Sequence, residues 1–255
     1  MIFYYKMKII NKIIRNILQK LSRVVFHLIP YELHLFFKII PKDVHTHYRE
    51  NENLQCFNHF EKHLQNAIHL APEQLSRFSI RKYAIEKSLL NDKEKNKFYL
   101  EFGVWKGNSA NFFSEYVNKL YAFDSFEGLR EDEDRVGHDV LKGHYNLDKK
   151  IPKLNKNIEP IVGFIQDTLE DFLKKHNPKI NFAHMDMDTY ESTKYALEKL
   201  KPYLIKDSII LFDELYNFPG WRNGEYKALQ ETFDESEYKF RAFSTHGTKV
   251  VIQLN

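Results

Sequence analysis

Residues 98–129 read FYLEFGVWKGNSANFFSEYVNKLYAFDSFEGL, and this stretch decides the fold. Tyr99, Leu100, Phe102 and Val104 make a short β-prone apolar run, and Gly103 and Gly107 bracket the turn after it. Asn108 or Ser109 is placed to cap a helix whose apolar positions Phe112, Phe113, Tyr116, Val117 and Leu120 follow helical spacing. Tyr121, Ala122 and Phe123 form a second strand that ends on Asp124. Strand, glycine turn, helix, strand and acid is the order of a doubly wound nucleotide site, with the acid spaced to meet a ribose.

The details of the turn narrow the ligand. Gly103-Val-Trp-Lys-Gly107 lacks the third glycine of G-x-G-x-x-G and the G-K-[ST] of a P-loop. Glu101, just before the turn, would repel a pyrophosphate and attract the ammonium group of a methionine. S-adenosylmethionine is therefore favoured over NAD or ATP. The plainer alternative is an ordinary βαβ turn with one surface glutamate.

Toward the N-terminus, residues 7–28 carry an unbroken stripe from Ile9, Ile10, Ile13 and Ile14 to Val24, Val25 and Leu28. Lys8, Lys12, Arg15, Lys20 and Arg23 occupy the other face. Such a helix either buries its stripe in protein, most simply a second subunit, or lies on an anionic membrane surface. Residues 43–92 read as polar helix, with His59 and His63 one turn apart but without the H-E-x-x-H order of a zinc site; they are expected to be solvated. Residues 1–80 are thus assigned to an N-terminal helical extension and 81–255 to the catalytic domain.

Toward the C-terminus, a charged irregular stretch, 130–157, reads as a lid. Strands are expected at 158–162, 180–185 and 207–212, with Asp167 or Thr168 capping the helix after the first. Residues 238–243 and 249–254 complete seven strands as an antiparallel pair joined by Thr245-His246-Gly247. The fold class is α/β: a Rossmann-like, seven-stranded, mainly parallel sheet with a terminal antiparallel hairpin. One cysteine, Cys56, excludes an internal disulfide and fits a reducing cytoplasm, where contact with the inner membrane face is the alternative to a free protein. A net charge of +3 gives no case for nucleic acid.

Asp186, Asp188, Asp213 and Glu214 fall at the C-terminal ends of the fourth and fifth strands, where α/β sheets bind ligands. Converging carboxylates need a proton or a cation between them, and oxygen donors suit Mg²⁺. The simpler alternative is that Asp186 and Asp188 cap the next helix while Glu214 faces water. Trp221, with Tyr216 and Arg222, suits a sugar acceptor if it is not core.

With these residues in view, the chain resembles the class I S-adenosylmethionine methyltransferases, and among them the macrocin O-methyltransferase family of sugar hydroxyl methylases. The resemblance rests on Glu101-Phe-Gly-Val-Trp-Lys-Gly107, Phe123-Asp-Ser-Phe-Glu-Gly-Leu129, Gly163 with Gln166-Asp-Thr-Leu169, Asp186-Met-Asp-Thr-Tyr-Glu-Ser-Thr193 and Asp213-Glu214. It implies that Glu101, Gly103 and Ser109 hold the methionine end and Asp124 the ribose. Gln166 and Asp167 would lie by the adenine with Phe126 and Phe164 as walls, while Phe102, Lys106, Ser125, Thr168 and Asp186 complete the donor contacts. It implies Mg²⁺ on Asp186, Asp213 and Glu214, where the family usually has Asp-Asp for the last pair. Asp188 would then support the metal from behind or be the general base, with His246 as another candidate, and without a metal Asp186 or Asp188 would be the unaided base. A homo-oligomer through the N-terminal helices, an enzyme methylating nitrogen or another small-molecule acceptor, and a silent scaffold of the same fold complete the set of expectations.

Overall fold

The computed structural model describes residues 44–70, 79–130, 132–135, 138–245 and 247–255. The stripe at 7–28 lies outside them, as does His246. Helices are α1 (Val44–Leu64), α2 (Ser79–Leu89), α3 (Asn108–Ser114), α4 (Ile165–His176), α5 (Tyr190–Leu200) and α6 (Glu225–Thr232). Strands are β1 (Ile68–Leu70), β2 (Phe98–Phe102), β3 (Leu120–Asp124), β4 (Glu133–Arg135), β5 (His138–Val140), β6 (Ile158–Val162), β7 (Ile180–Met185), β8 (Leu204–Phe212), β9 (Tyr238–Ser244) and β10 (Val250–Leu254).

Eight strands form one sheet in the order β1-β9-β10-β8-β7-β2-β3-β6, and β4 pairs with β5 as a separate small hairpin. β2, β3, β6, β7 and β8 run parallel, and β10 is antiparallel to both β8 and β9. All seven expected strands are present. The eighth, β1, adds parallel to β9 at the edge, and three residues reading Ile-His-Leu carry too little pattern to announce it.

β7 sits centrally and buries all six residues, as a strand covered on both faces must. One face packs Leu100, Phe102 and Met185 against Phe172, Leu197 and Leu229 from α4, α5 and α6. The other packs Tyr99, Phe182 and Leu211 against Ile80, Ala84 and Phe113 from α2 and α3. Cys56 and Phe60 of α1 belong to the first of these layers, and Tyr48–Asn255 is one compact unit.

His59 is exposed and His63 half-buried, and each also meets a ring of the domain. His59 bonds the Tyr226 hydroxyl and packs 5.0 Å from the Trp221 ring, and His63 packs 4.5 Å from Phe240. Burial pushes both imidazoles below their ordinary value. Trp221 is fully buried between these rings, and Arg222 pairs with Glu52 at 3.2 Å. With Tyr216 also buried, this trio builds core and loop support rather than an acceptor platform.

Strand order reverses between β2 and β7, so the crevice beyond their C-terminal ends is the place for a ligand. The two strand ends are pressed together there. A Cβ on Gly103, whose φ is +86°, would stand 1.7 Å from the Asp186 carbonyl oxygen, so only glycine fits.

Candidate active site

A cavity of about 350 Å³ opens at this crevice, with the glycine turn, the tips of β3, β6, β7 and β8, and Arg81 of α2 in its wall. Its turn is built by Asp124. Oδ2 accepts from the amides of Val104 and Trp105, and Oδ1 from that of Phe126, each at 2.7 Å. Those amides are presented because Trp105 and Phe126 take positive φ, +43° and +55°. The helix α3 starts directly after Gly107, itself left-handed, so neither Asn108 nor Ser109 is its cap. It also ends at Ser114, short of Tyr116, Val117 and Leu120.

Gly103, Lys106, Ser109, Asp124, Ser125, Gln166 and Asp186 all line the cavity. Phe102 and Phe126 are buried in the two core layers instead. Thr168 turns its hydroxyl to the Phe164 carbonyl at 3.1 Å, and α4 begins before it and before Asp167, at Ile165. Asp167 faces Arg130 at 3.4 Å, while the same guanidinium donates to Gln166 Oε1 at 3.2 Å and lies 5.2 Å above the Phe164 ring. Glu101 is fully buried beneath the cavity floor, with Oε1 3.0 Å from His184 Nδ1.

The aromatic groups at the mouth are Trp105 and Tyr145, edge to face at 5.4 Å. Tyr145 comes from the stretch after β5, which is fastened by Gly143 N to Leu129 O at 2.9 Å and Leu147 N to Phe126 O at 3.1 Å.

At the other end stand Asp186, Asp188, Asp213 and Glu214. Thr189, not Asp186 or Asp188, caps α5, and Asp188 has φ +62°, a backbone state an aspartate adopts when its surroundings impose it. Burial and the charges of Asp213 and Asp188 hold the Asp186 carboxyl well above the ordinary carboxylate range. Burial acts the same way on Asp213, but His184, Lys249 and Arg81 outweigh it and hold that carboxyl well below the range. The contacts are 2.7 Å from Arg81 Nη2 to Oδ1, 3.3 Å from His184 Nε2 to Oδ1 and 2.9 Å from Lys249 Nζ to Oδ2.

Behind this wall lies Glu225, 1 % exposed, whose Oε2 accepts from the Glu214 amide at 2.8 Å. Burial, with Glu214, Asp213 and Asp186 close by, pushes Glu225 well above the ordinary range. His184, Asp186 and Asp213 each bring a ligand atom within 4.8 Å of the others. Two carboxylates and an imidazole, with Glu214 beside them, are donors that fit a hard divalent cation.

The geometry meets the comparisons at this point. A family model described as a methyltransferase domain matches residues 100–215, the span from the glycine turn to the acids after β8. Over that span the chain carries a methyltransferase domain. A sugar 4'-O-methyltransferase of Streptomyces olivaceus, acting on 8-demethyl-8-(2,3-dimethoxy-alpha-L-rhamnosyl)-tetracenomycin-C, is 26 % identical over 137 residues. That match covers 45 % of this chain and about half, 51 %, of the relative. Among solved structures, the calicheamicin methyltransferase CalS11 has 20 % identity and a TM-score of 0.57, covering 84 % of this chain and 94 % of that one. The O-methyltransferase NovP has 19 % identity and a TM-score of 0.51, covering 70 % and 79 %. Both share the fold of this chain.

Arg81, Lys249, His184 and Glu225 were not singled out from sequence. His184 had a usable signal: it precedes Asp186 by two residues on a strand otherwise apolar apart from Asn181.

Proposed function

We propose that this methyltransferase moves the methyl group of S-adenosylmethionine to a sugar hydroxyl, on a nucleotide sugar, a surface polysaccharide or a glycosylated metabolite. The observation that carries this reading is the abutment of Gly103 on Asp186, which puts donor turn and carboxylates on one wall of one cavity. The sugar methyltransferase of Streptomyces olivaceus supports the acceptor class.

In this reading Gly103 and Ser109 receive the methionine end, with Glu101 beneath them as its counter-charge. Asp124 uses its remaining lone-pair capacity on the ribose, and Gln166 and Phe164 bound the adenine. Asp186, held above the ordinary carboxylate range, is suited to accept the acceptor's proton, and Asp188 stands beside it. The oxygen then attacks the methyl carbon in line with the C–S bond, and the sulfonium leaves as a neutral thioether. Alignment of oxygen, methyl and sulfur is the largest service the fold provides, worth about 7–11 kcal/mol in well-oriented systems. Mg²⁺ on Asp186 and Asp213 with Glu214 would lower the pKa of the bound hydroxyl. The apolar stripe at 7–28 would mediate self-association, with an anionic membrane surface as its rival occupant.

The test is transfer of labelled methyl from the donor to a panel of nucleotide sugars, read by mass spectrometry, with and without EDTA. Methylated sugar is expected. No product from any sugar, with donor binding intact, would remove the acceptor class.

A further inference from the structure

We propose that Arg81 and Lys249 are resident counter-cations of the acidic centre, doing for Asp213 and Asp186 what a divalent cation would do, so that a metal enters only by displacing them. The inference rests on the reading of Asp186 and Asp213 as the acidic end of the transfer site, but not on which acceptor is methylated.

The two cations arrive from opposite sides of the matched domain. Arg81 lies on α2, before residue 100, and Lys249 just before β10, after residue 215. Nothing in the 100–215 segment supplies them. They nevertheless close on one carboxylate, Arg81 on Oδ1 at 2.7 Å and Lys249 on Oδ2 at 2.9 Å. Arg81 also reaches within 3.9 Å of Asp186 Oδ2. The side chains are 12 %, 10 % and 13 % exposed for Arg81, Lys249 and Asp213, so solvent screens these contacts little.

The charge count follows. Two fixed cations face Asp213 and Asp186, with Asp188 and Glu214 beside them, and both oxygens of Asp213 are already engaged. A divalent ion approaching Asp213 meets a guanidinium and an ammonium at ligand distance, and it must move at least one of them to coordinate. Removing one fixed cation instead leaves a poorly solvated carboxylate with one compensating charge fewer, a change that destabilises it. A divalent cation should then take the empty place. A merely structural salt bridge would show the loss of stability but no exchange with metal.

The experiment is thermal unfolding of the full chain and of Arg81→Met, each with millimolar MgCl₂ or with NaCl of equal ionic strength. The wild type should melt at the same temperature in both salts. Arg81→Met should melt lower by about 5–10 °C in NaCl and recover most of that in MgCl₂. Lys249→Met should behave in the same way.

An Arg81→Met variant as stable as the wild type would overturn the proposal. So would a wild type that MgCl₂ stabilises as much as it does the variant. If Arg81→Met and Lys249→Met melt lower and MgCl₂ restores neither, the contacts are merely structural salt bridges and the proposal is overturned.

Discussion

His184 and Glu101 are register partners on β7 and β2, and with both side chains fully buried they meet at 3.0 Å, Nδ1 to Oε1. The other ring nitrogen lies 3.3 Å from Asp213, so one imidazole joins the acid under the glycine turn to the acid after β8. His184→Leu keeps an apolar body of similar size but leaves Glu101 without its imidazole contact. The expected loss is about 3–5 kcal/mol of stability, read by urea unfolding. Adding Glu101→Gln should restore part of it, while donor affinity measured by calorimetry stays weak in both variants.

Gly103→Ala tests the abutment that joins the two halves of the site. Its Cβ would collide with the Asp186 carbonyl, and φ +86° is unfavourable for alanine. Left-handed strain and overpacking together predict a loss of about 2–4 kcal/mol, with S-adenosylhomocysteine binding weakened in the folded fraction. Gly220, with no atom near an added Cβ and φ +82°, is the control that carries the strain alone.

Asp124→Asn removes one acceptor oxygen from a carboxylate that holds three amides. Each charged hydrogen bond of this kind contributes about 1.5–3 kcal/mol. The variant should lose both stability and donor affinity, measured by unfolding and calorimetry on the same preparation. A loss of affinity without loss of stability would assign Asp124 to the ribose alone.

Glu225 gives a pH signature. Its carboxyl is raised in the fold, so the folded state keeps a proton that the unfolded chain has released, and stability falls as pH rises through that window. Glu225→Gln keeps an acceptor for the Glu214 amide but has no such proton. Its melting temperature relative to wild type should therefore climb from about pH 5 to about pH 8. A difference that stays flat across this range would show that Glu225 is ionised in the folded protein.

Much of this arrangement was legible before any coordinates. Gly103, Gly107 and Asp124 announce the turn because left-handed backbone and a strand-end acid leave local signatures, and the acids after β7 and β8 do so for the same reason. Arg81 and Lys249 were not legible, since two of the chain's 38 lysines and arginines become special only when α2 and β10 fold over Asp213. Trp221 was ambiguous because a large aromatic residue in a loop suits a sugar face and a core equally well. The Glu52 carboxylate that pairs with Arg222 and the Phe60 ring, which settle it, come from α1, far away in sequence.

The central claim is oxygen methylation of a sugar from S-adenosylmethionine. It is tested most directly by incubating the full chain with donor carrying a trideuterated methyl group and a panel of nucleotide sugars, then fragmenting the products. The account predicts one trideuteromethyl group on a sugar hydroxyl oxygen, lost in Asp186→Asn with donor binding retained. A labelled methyl found on nitrogen, or equal turnover in Asp186→Asn, would contradict it.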